Sequence, residues 1–569
     1  MKNCQLVTKD LTPNPDWSRF RLLAASLLLV LLGLAASANS FHAPWHFDDE
    51  PNIIDNRFIR INALDLSSLL GAMLQDRRQN RPFSNLTFAL NYYFSGQDVV
   101  AFHLVNVALH WAAGLLVFFI LRLTFRRAGL AQDRRDLAAL AAAAVWTIHP
   151  LHTQAVTYIV QRQTVMASVF TLGSLLAYLL ARESRRPRRQ GLLYGLAALS
   201  FILAAGSKEI AWVTPGLILI HEAYFYQDFS WGFLRRRWPA LILGLILLSG
   251  FLVLSLRSEM WKMISQGYQN YPFTLTQRLL TEPRVLISYL DLTLWPLPSR
   301  LSVEHDPALS TSLLHPWTTG PALLFWIVLL VGALRFARRC PWFSFAVLWY
   351  LLNISLESSF IPLDLMFEHR LYLPSLALIV PLIAFPVFSA RRVRWVLPAL
   401  SLVAVMLLLG TRGRNRVWQT ELDLWRDCAR KTPFKASAFN NLGAALRELG
   451  EEERALAPFN RAVKLNPKSA DGYINRGIGY GKMGRYELAL FNFNSALAIN
   501  PNLAKAFYNR GIVYLEQGQF QRAIADWTRA IQINPSLAQA YISRGNLYLH
   551  LGRSDQAQAD FLKAQSLGP

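Results

Sequence analysis

Residues 504–535 read AKAFYNRGIVYLEQGQFQRAIADWTRAIQINP, and the same pattern recurs every 34 residues in the last quarter of the chain. Each unit carries, in order, an aromatic residue, two glycines, an alanine, a second aromatic residue and a proline. The first aromatic residues and the first glycines of the four units are Phe439, Tyr473, Phe507 and Tyr541, and Gly443, Gly477, Gly511 and Gly545. Small residues let two helices approach closely, aromatic residues fill the space between them, and proline ends the second helix. The pattern therefore predicts four helix pairs.

This period and this order of residues are those of the tetratricopeptide repeat. We therefore predict an α-solenoid of four such repeats over residues 436–569, preceded by a helical connector over residues 412–435. Repeat solenoids bind partners along their concave surface. The polar side chains that we expect on that surface, in contact with a protein partner, are Asn440, Asn475, Asn509 and Arg510.

The composition of the 569-residue chain excludes an ordinary soluble enzyme. Hydrophobic residues make up 53% of it and charged residues only 17%, whereas soluble domains carry about 25% charged residues. The three cysteines, Cys4, Cys340 and Cys428, are far apart and odd in number. They therefore form neither a disulfide framework nor a metal-ligand spacing.

Before the repeats, residues 1–411 predict an all-α membrane domain. A bilayer-spanning helix needs about 20 mostly apolar residues, and the first candidate, residues 21–38, is read as a retained span rather than a signal peptide because an acidic polar segment follows it. Ten further apolar stretches bring the predicted number of spans to eleven, with the first external loop at residues 40–98. These stretches are 99–121, 137–149, 154–181, 191–207, 210–226, 238–256, 319–337, 342–357, 374–390 and 395–410.

Arginine placement predicts the orientation. The chain carries a formal net charge of +22, and arginines cluster in every second loop between the predicted spans, which is the positive-inside pattern. We therefore expect a cytoplasmic N-terminus and external repeats, and we expect no nucleic-acid partner. Residues 276–296 contain four charged side chains and are read as an amphipathic helix on the external face.

Ionisable residues gather at the external ends of the predicted spans. Asp48, Asp49 and Glu50 are adjacent in the first external loop, and they are the candidate catalytic acids. The candidate contacts of a donor phosphate are Arg81, His149, His152, Arg162, Lys208, Arg370 and Tyr372, with Glu209, Glu368 and His369 as further polar site residues. Such groups are costly at membrane depth unless they pair or serve a polar site. A carboxylate can act as general base for a hydroxyl, and cations can stabilise a departing phosphate. Together they predict a sugar donor whose phosphate is attached to a lipid.

Several motifs resemble the transmembrane and tetratricopeptide-repeat O-mannosyltransferase family and its bacterial relatives, which are GT-C glycosyltransferases. They are FDDEPNIIDN, HPLHTQAVTYIVQRQ, GSKE, FEHRLYLPS and RNRVWQTELDLW. The resemblance implies an inverting, polyprenyl-phosphate-dependent transferase of the bacterial inner membrane, with periplasmic repeats. It also implies that Asp48 and Asp49 form the acidic pair, and that Arg370 and Tyr372 contact the donor phosphate. The chain departs from the family pattern because His369 separates Glu368 from Arg370.

The sequence leaves several alternatives. Which of the three acids is the base stays undecided, as does a divalent cation on Asp48 and Asp49, for which we name no metal ligands. The expected reaction transfers a hexose such as mannose to a protein hydroxyl. The alternatives are a non-catalytic membrane scaffold for envelope assembly, a lipid-linked glycan ligase or polymerase, and a transporter. The transporter is disfavoured because no inverted repeat is seen.

Overall fold

The computed structural model describes residues 15–75, 81–230, 232, 267–268, 271–390 and 393–567. These residues form helices, turns and irregular segments, and no strand occurs among them. The chain divides into two compact units, Met1–Thr420 and Glu421–Pro569. The predicted all-α fold with C-terminal repeats is therefore confirmed.

The first unit contains fourteen α-helices within the described residues. They are α1 (Pro15–Ser37), α2 (Leu66–Leu74), α3 (Pro82–Ser95), α4 (Val99–Arg127), α5 (Gln132–Thr147), α6 (Thr153–Thr157), α7 (Arg162–Glu183), α8 (Pro187–Ala205), α9 (Thr214–Phe225), α10 (Leu275–Leu294), α11 (Thr319–Arg335), α12 (Pro341–Ile354), α13 (Leu376–Ser389) and α14 (Val396–Val417). Helix α4 packs between α5 and α7, and α13 packs on α5. The apolar core lies among these helices, with Trp146 and Val387 completely buried.

The eleven predicted spans are not confirmed within the part of the chain that the structure describes. Among the described residues, four helices are long and apolar enough to cross a membrane: Arg19–Ser37, Val99–Arg127, Ile159–Glu183 and Val393–Val417. The apolar helices α11, α12 and α13 are shorter. The predicted spans at 137–149, 191–207 and 210–226 coincide largely with α5, α8 and α9, which are too short or not apolar enough by the same measure.

Proline and polar corners explain part of this difference. Helix α5 ends just before His149-Pro150, and α9 begins only at Thr214-Pro215. Proline cannot continue a helix without losing a hydrogen bond, so a continuous apolar stretch in the sequence becomes a shorter helix. The predicted span at 238–256 lies outside the described residues, as do Arg235–Arg237, Arg391 and Arg392.

The predicted amphipathic segment at 276–296 forms helix α10, which starts with a capping box made by Thr274 and Gln277. Its polar face points inwards, because Arg278 is buried and its guanidinium pairs with Glu282 at 3.1 Å. Its apolar side chains Leu279 and Leu294 are instead exposed. This arrangement agrees with an amphipathic helix, and its position at a membrane surface stays a prediction.

The second unit consists of nine helices within the described residues. They are α15 (Glu421–Lys431), α16 (Ala436–Glu448), α17 (Glu452–Leu465), α18 (Ala470–Lys482), α19 (Tyr486–Ile499), α20 (Ala504–Glu516), α21 (Phe520–Ile533), α22 (Ala538–His550) and α23 (Ser554–Leu567). The division between the units falls inside the predicted connector, residues 412–435. Arg412–Val417 are the end of α14, whereas α15 packs on α16.

The repeat glycines lie where two helices meet. A Cβ atom added to Gly511 would lie 2.6 Å from the indole nitrogen of Trp527, and one added to Gly443 would lie 2.6 Å from the ring of Phe459. Only glycine leaves room for these rings. Gly518 adopts a φ of 70° in the turn between α20 and α21, a conformation that glycine reaches without strain. The predicted role of the first glycines in close helix packing is confirmed.

Arg510, one of the predicted partner contacts, is hydrogen-bonded within the solenoid. Its guanidinium donates two hydrogen bonds to the carboxylate of Asp526, at 2.7 and 2.8 Å, and one to Asn494 at 2.6 Å. Arg476 and Arg544, at the same place in the neighbouring repeats, also donate to side chains sixteen residues before and after them. These arginines therefore fasten successive helices to one another.

Candidate active site

Asp49 is the most deeply buried of the three adjacent acids, with no exposed surface. One carboxylate oxygen accepts a hydrogen bond from the backbone N–H of His46 at 3.0 Å, and the other accepts from the N–H of Val160 at 2.6 Å. Burial raises the pKa of Asp49 to about 7, against the opposing effect of these two donors. Asp49 therefore fastens the acidic loop to the segment before α7.

Asp48 is half-buried, and it is held by one tyrosine. Its backbone N–H donates to the hydroxyl of Tyr158 at 2.7 Å, and the same hydroxyl bonds its carboxylate. Burial raises the pKa of Asp48, the Tyr158 hydrogen bond lowers it, and the negative charges of Asp364 and Glu304 raise it. Asp48 is therefore a carboxylate with partial access and a pKa above the usual range, as a general base near neutral pH requires.

Glu50 differs from both of its neighbours because its side chain is exposed. It is the first residue of a π-helical turn, Glu50–Ile54. The three adjacent acids, which the sequence could not distinguish, thus have three environments. Asp49 is structural, Asp48 is partly accessible and held in place, and Glu50 is solvated.

The acidic loop is also tied to the end of α14. His46 donates from Nε2 to the carbonyl oxygen of Trp418 at 2.7 Å, and Arg412 donates to the carbonyl oxygen of Ala35 in the last turn of α1 at 2.7 Å. A cation near a helix C-terminus is favourable because of the helix dipole. Arg412 and the backbone of Trp418 thus hold α1 and the acidic loop to the end of α14.

A second cluster gathers two cations around one carboxylate. Lys208 donates from Nζ to Glu357 at 3.0 Å and to the Thr164 hydroxyl at 3.0 Å. Arg370 lies with its Nε atom 4.0 Å from the same Glu357 oxygen. All three side chains are buried. Lys208 and Arg370 are therefore brought together as predicted, and Glu357 is a site residue that the sequence analysis missed.

Arg81 and Glu209 form a third pair beside this cluster. Their side chains make an ion pair at 2.9 Å, and a second nitrogen of Arg81 donates to Gln163. The charge of Arg81 acts on Glu357 and His369. This pair is more exposed than the Lys208–Glu357 pair, so it lies towards the solvent side of the cluster.

Asp364 links the acidic loop to the cationic cluster. Its negative charge acts both on Asp48 and on Arg370. It lies in the loop between α12 and α13, six residues before Arg370. Asp364 therefore lies near enough to both Asp48 and Arg370 for its charge to act on each of them.

Arg162 does not contribute to this site. Its guanidinium is completely buried and donates to the side chains of Asn106 and Asn91 at 2.7 and 2.8 Å, and to two backbone carbonyl oxygens. It also lies over the ring of Phe88, 4.5 Å from the centroid. Because its donors are used within the protein, Arg162 stabilises the packing of α3 and α4 on α7, and we leave it out of the proposed phosphate contacts.

Tyr372, His149 and His152 lie in the interior. The Tyr372 hydroxyl hydrogen-bonds Nδ1 of His110 at 2.6 Å, and His110 donates from Nε2 to the Thr147 carbonyl oxygen at 2.8 Å. His149 is bonded at both ring nitrogens, and His152 packs among the rings of Trp146, His110 and Tyr372. The ring nitrogens of His149 and the hydroxyl of Tyr372 are therefore bonded within the protein, whereas both ring nitrogens of His152 are buried without a hydrogen-bond partner among the described residues.

Glu368 and His369 support the short 3-10 turn Glu368–Leu371 that carries Arg370. The Glu368 carboxylate accepts from the backbone N–H of Ser302 and pairs with His305 at 3.0 Å. His369 stacks on Phe367 with 5.2 Å between ring centroids, and its backbone N–H donates to Gln154. Both residues therefore position the turn.

Two signals could have identified the missed residues. Glu357 ends the predicted span 342–357, and Asp364 lies in the predicted loop just before FEHRLYLPS. Tyr158 lies inside HPLHTQAVTYIVQRQ, a motif from which we took only the histidines and the arginine. Among the described residues, no group of three His, Cys, Asp or Glu side chains is arranged to hold a metal ion.

The chain is similar to known proteins in both of its units. Residues 422–470, 504–537 and 527–559 match family models described as tetratricopeptide repeat, and residues 480–518 match one described as TPR repeat. The crystal structure of MamA is 25% identical, covers 28% of this chain and 90% of that chain, and has a TM-score of 0.24.

Two relatives also extend over most of the first unit. Protein O-mannosyl-transferase TMTC3 of Mus musculus is 26% identical over 494 residues, which are 77% of this chain and 51% of the relative. Protein O-mannosyl-transferase F38B6.6 of Caenorhabditis elegans is 24% identical over 78% of this chain and 62% of the relative. The chain thus spans between half and two thirds of the length of these relatives. Its sequence is similar to those of protein O-mannosyl-transferases, and its C-terminal part matches the tetratricopeptide-repeat models.

Proposed function

We propose that the chain is a membrane glycosyltransferase. In this proposal it transfers a hexose such as mannose from a polyprenyl-phosphate donor to a protein hydroxyl on the external face of the membrane. Two observations support the proposal. The relatives of the chain are named protein O-mannosyl-transferases. In addition, the charge of Asp364 acts both on a partly accessible carboxylate, Asp48, and on the buried cation Arg370, which lies beside Lys208 around Glu357.

Asp48 is the proposed general base. It takes the proton of the acceptor hydroxyl while the hydroxyl oxygen attacks the anomeric carbon, and the bond between that carbon and the phosphate oxygen breaks with its electron pair. This single displacement inverts the anomeric centre and needs no covalent enzyme intermediate. Asp49 holds the loop and Tyr158 holds Asp48, so the base is positioned before the substrate binds.

Arg370 and Lys208 are the proposed contacts of the donor phosphate. The phosphate gains one negative charge as the sugar leaves, so cations beside it stabilise the transition state more than the bound donor. Glu357 neutralises one of the two cations and leaves the cluster with an excess positive charge. One oriented donor of this kind is worth about 3 to 4 kcal/mol in other enzymes.

The membrane arrangement is part of the proposal. Eleven crossings, a cytoplasmic N-terminus and periplasmic repeats in a bacterial inner membrane follow from hydropathy and arginine placement. The repeats would then lie on the same side as Asp48, where they can hold the acceptor protein. A divalent cation is not required by the mechanism.

Turnover by the purified chain tests the proposal. The chain in lipid nanodiscs is given a synthetic polyprenyl-phosphate mannose and a mixture of envelope proteins, and intact mass is measured. A hexose-sized increase on a protein supports the transferase. An increase only on glycans indicates the ligase or polymerase. No transfer, together with stable capture of envelope proteins by the repeats, indicates the scaffold, which the four tetratricopeptide repeats favour as second candidate.

A further inference from the structure

The outer face of α19, the second helix of the second repeat, differs in chemistry from the same face of the other three second helices. We define this face by Leu488, Phe491 and Ser495. Where α19 has Phe491, the other repeats carry alanine. At the other two places they carry polar or cationic side chains, which are Arg454, Arg522 and Gln556 in place of Leu488, and Arg461, Arg529 and Lys563 in place of Ser495. From Leu488 to Ile499, α19 contains no charged residue.

The apolar side chains of this face are not part of the repeat core. Helix α19 packs through another side, where Ala489, Phe493 and Ala496 are buried. Leu488 and Phe491 are instead 45% and 63% exposed. Exposed apolar patches bordered by polar residues mark interaction sites, and aromatic side chains are frequent anchors of protein interfaces. The second repeat therefore presents an apolar anchor that the other repeats lack at this place.

Cationic side chains border this face on both neighbouring repeats. They are Arg454 and Arg461 on α17, and Arg522 and Arg529 on α21. Arg454 pairs with Glu451 at 2.5 Å, whereas Arg529 is exposed. Beyond their first turns, α17, α19 and α21 contain one acid, Asp526, and Arg510 pairs with it. The outer face of α19 therefore lies between rows of net positive charge.

We propose that the outer face of α19 binds an acidic amphipathic segment of a partner protein. The apolar side of that segment covers Leu488 and Phe491, and acidic side chains at its edges face the arginines of α17 and α21. A second copy of this chain fits less well, because contact between two such faces would bring two sets of arginines together, and like charges oppose association. The proposal does not rest on the transferase chemistry, and it gives the solenoid a binding surface besides the concave one.

Two substitutions that copy the fourth repeat test the proposal. Leu488→Gln with Phe491→Ala gives α19 the residue types found at Gln556 and Ala559, which the repeat fold accommodates. The matched control is Leu562→Gln, which removes an exposed leucine of α23.

The probe is a short fluorescein-labelled peptide that forms an amphipathic helix, with leucine and phenylalanine on one side and glutamate on the other. A second peptide carries lysine in place of glutamate. The full chain in phosphatidylcholine nanodiscs is titrated against each peptide, empty nanodiscs give the background, and binding is measured by fluorescence anisotropy.

We expect the wild type to bind the glutamate peptide, and the Leu488→Gln, Phe491→Ala double variant to bind it about tenfold more weakly, as the loss of an interface anchor does. Replacing Arg522 and Arg529 with glutamine should weaken binding and reduce its dependence on salt. Leu562→Gln should bind like the wild type, and all variants should keep the wild-type melting temperature.

The proposal is overturned if the double variant binds the glutamate peptide like the wild type, or if the lysine peptide binds equally well. A dimer in native mass spectrometry that the double variant abolishes would assign the face to a second copy and would also overturn it. A fluorophore at the exposed Ala498→Cys, in a chain whose own cysteines are replaced by serine, tests for lipid. Quenching of this fluorophore by spin-labelled lipid headgroups without peptide would mean that lipid covers the face, against the proposal.

Discussion

At the residue scale, adjacent carboxylates differ because the protein surrounds them differently. The carboxylate of Asp49 accepts two backbone N–H hydrogen bonds and has no exposed surface. Asp48 is instead hydrogen-bonded to the Tyr158 hydroxyl, and part of its surface stays exposed to solvent. The sequence could place both acids in one loop, but it could not decide which of them is buried. That depends on Val160 and Tyr158, which lie more than a hundred residues away in the chain.

The buried Asp49 predicts a specific dependence of stability on pH. Its pKa is about 7 in the folded protein and 3.8 in the reference state, so folding takes up protons between about pH 4 and pH 7. The stability that Asp49 contributes is therefore present at low pH and is lost as the pH rises through this range. Asparagine cannot titrate, so the difference in melting temperature between the wild type and Asp49→Asn should shrink towards about pH 7.

Melting curves of both proteins in the same detergent at each pH measure this difference. Effects of other titrating groups are the same in both proteins and drop out of the difference. Asp49→Asn should also cost about 1 to 3 kcal/mol because its amide group faces a backbone N–H donor. A difference in melting temperature that stays constant across this pH range would refute the assignment.

Tyr158 predicts a change in the pH profile of activity. Its hydroxyl lowers the pKa of Asp48, against burial and the charges of Asp364 and Glu304. Tyr158→Phe removes this hydrogen bond, so the pKa of Asp48 rises and the acid limb of kcat/KM moves to higher pH. Activity should therefore fall more on the acid limb of the profile than on its plateau.

Tyr178→Phe is the control for this experiment, because it removes a tyrosine hydroxyl that bonds Glu222 instead. An equal loss of activity at every pH in Tyr158→Phe would mean that Tyr158 only supports the fold.

At the element scale, the repeats were predictable and the membrane helices were predictable only in part. The 34-residue period predicts that Gly511 and Trp527 face each other between two helices, and the structure shows this contact. In an apolar stretch such as 210–226, the corner at Thr214-Pro215 gives a weaker sequence signal than the repeat period does. Helix length in the membrane domain depends on such corners and on packing against distant helices.

Two glycines of the solenoid provide a paired test. Gly511→Ala places a Cβ atom 2.6 Å from Trp527, whose indole donates to the Tyr508 carbonyl oxygen, and should cost about 1 to 3 kcal/mol. Gly479→Ala makes only ordinary van der Waals contacts, with Leu456 at 3.7 Å and Phe459 at 4.0 Å, and should stabilise α18 by about 0.5 to 1 kcal/mol. Hydrogen exchange of the repeat amides in the full chain measures both changes. Equal effects would contradict the close packing at Gly511.

At the scale of the whole molecule, the candidate site is assembled from distant parts of the first unit. The acids come from the loop after α1, Lys208 from the loop before α9, and Arg370 from the loop before α13. The sequence predicted that these loops share one side of the membrane. The sequence analysis missed the partners Glu357 and Asp364, because neither lies within a motif that we recognised.

The orientation predicts which residues are accessible from outside the cell. Cys340 is exposed and follows Arg338 and Arg339, so it should lie on the cytoplasmic side. Ser554→Cys, in the exposed first turn of α23, should lie on the external side. With Cys4 and the buried Cys428 replaced by serine, a membrane-impermeant maleimide should label Ser554→Cys in spheroplasts and Cys340 only after permeabilisation. The reverse pattern would overturn the topology.

The most direct measurement of the central claim compares sugar transfer by Asp48→Asn and Glu50→Gln. Glu50 is the matched control because it is the exposed neighbour in the same turn. Removing a general base typically costs about 10² to 10⁴ in rate. We predict such a loss for Asp48→Asn, with unchanged expression and melting temperature, and activity near that of the wild type for Glu50→Gln. Full transfer by Asp48→Asn would contradict the assignment of Asp48 as the base.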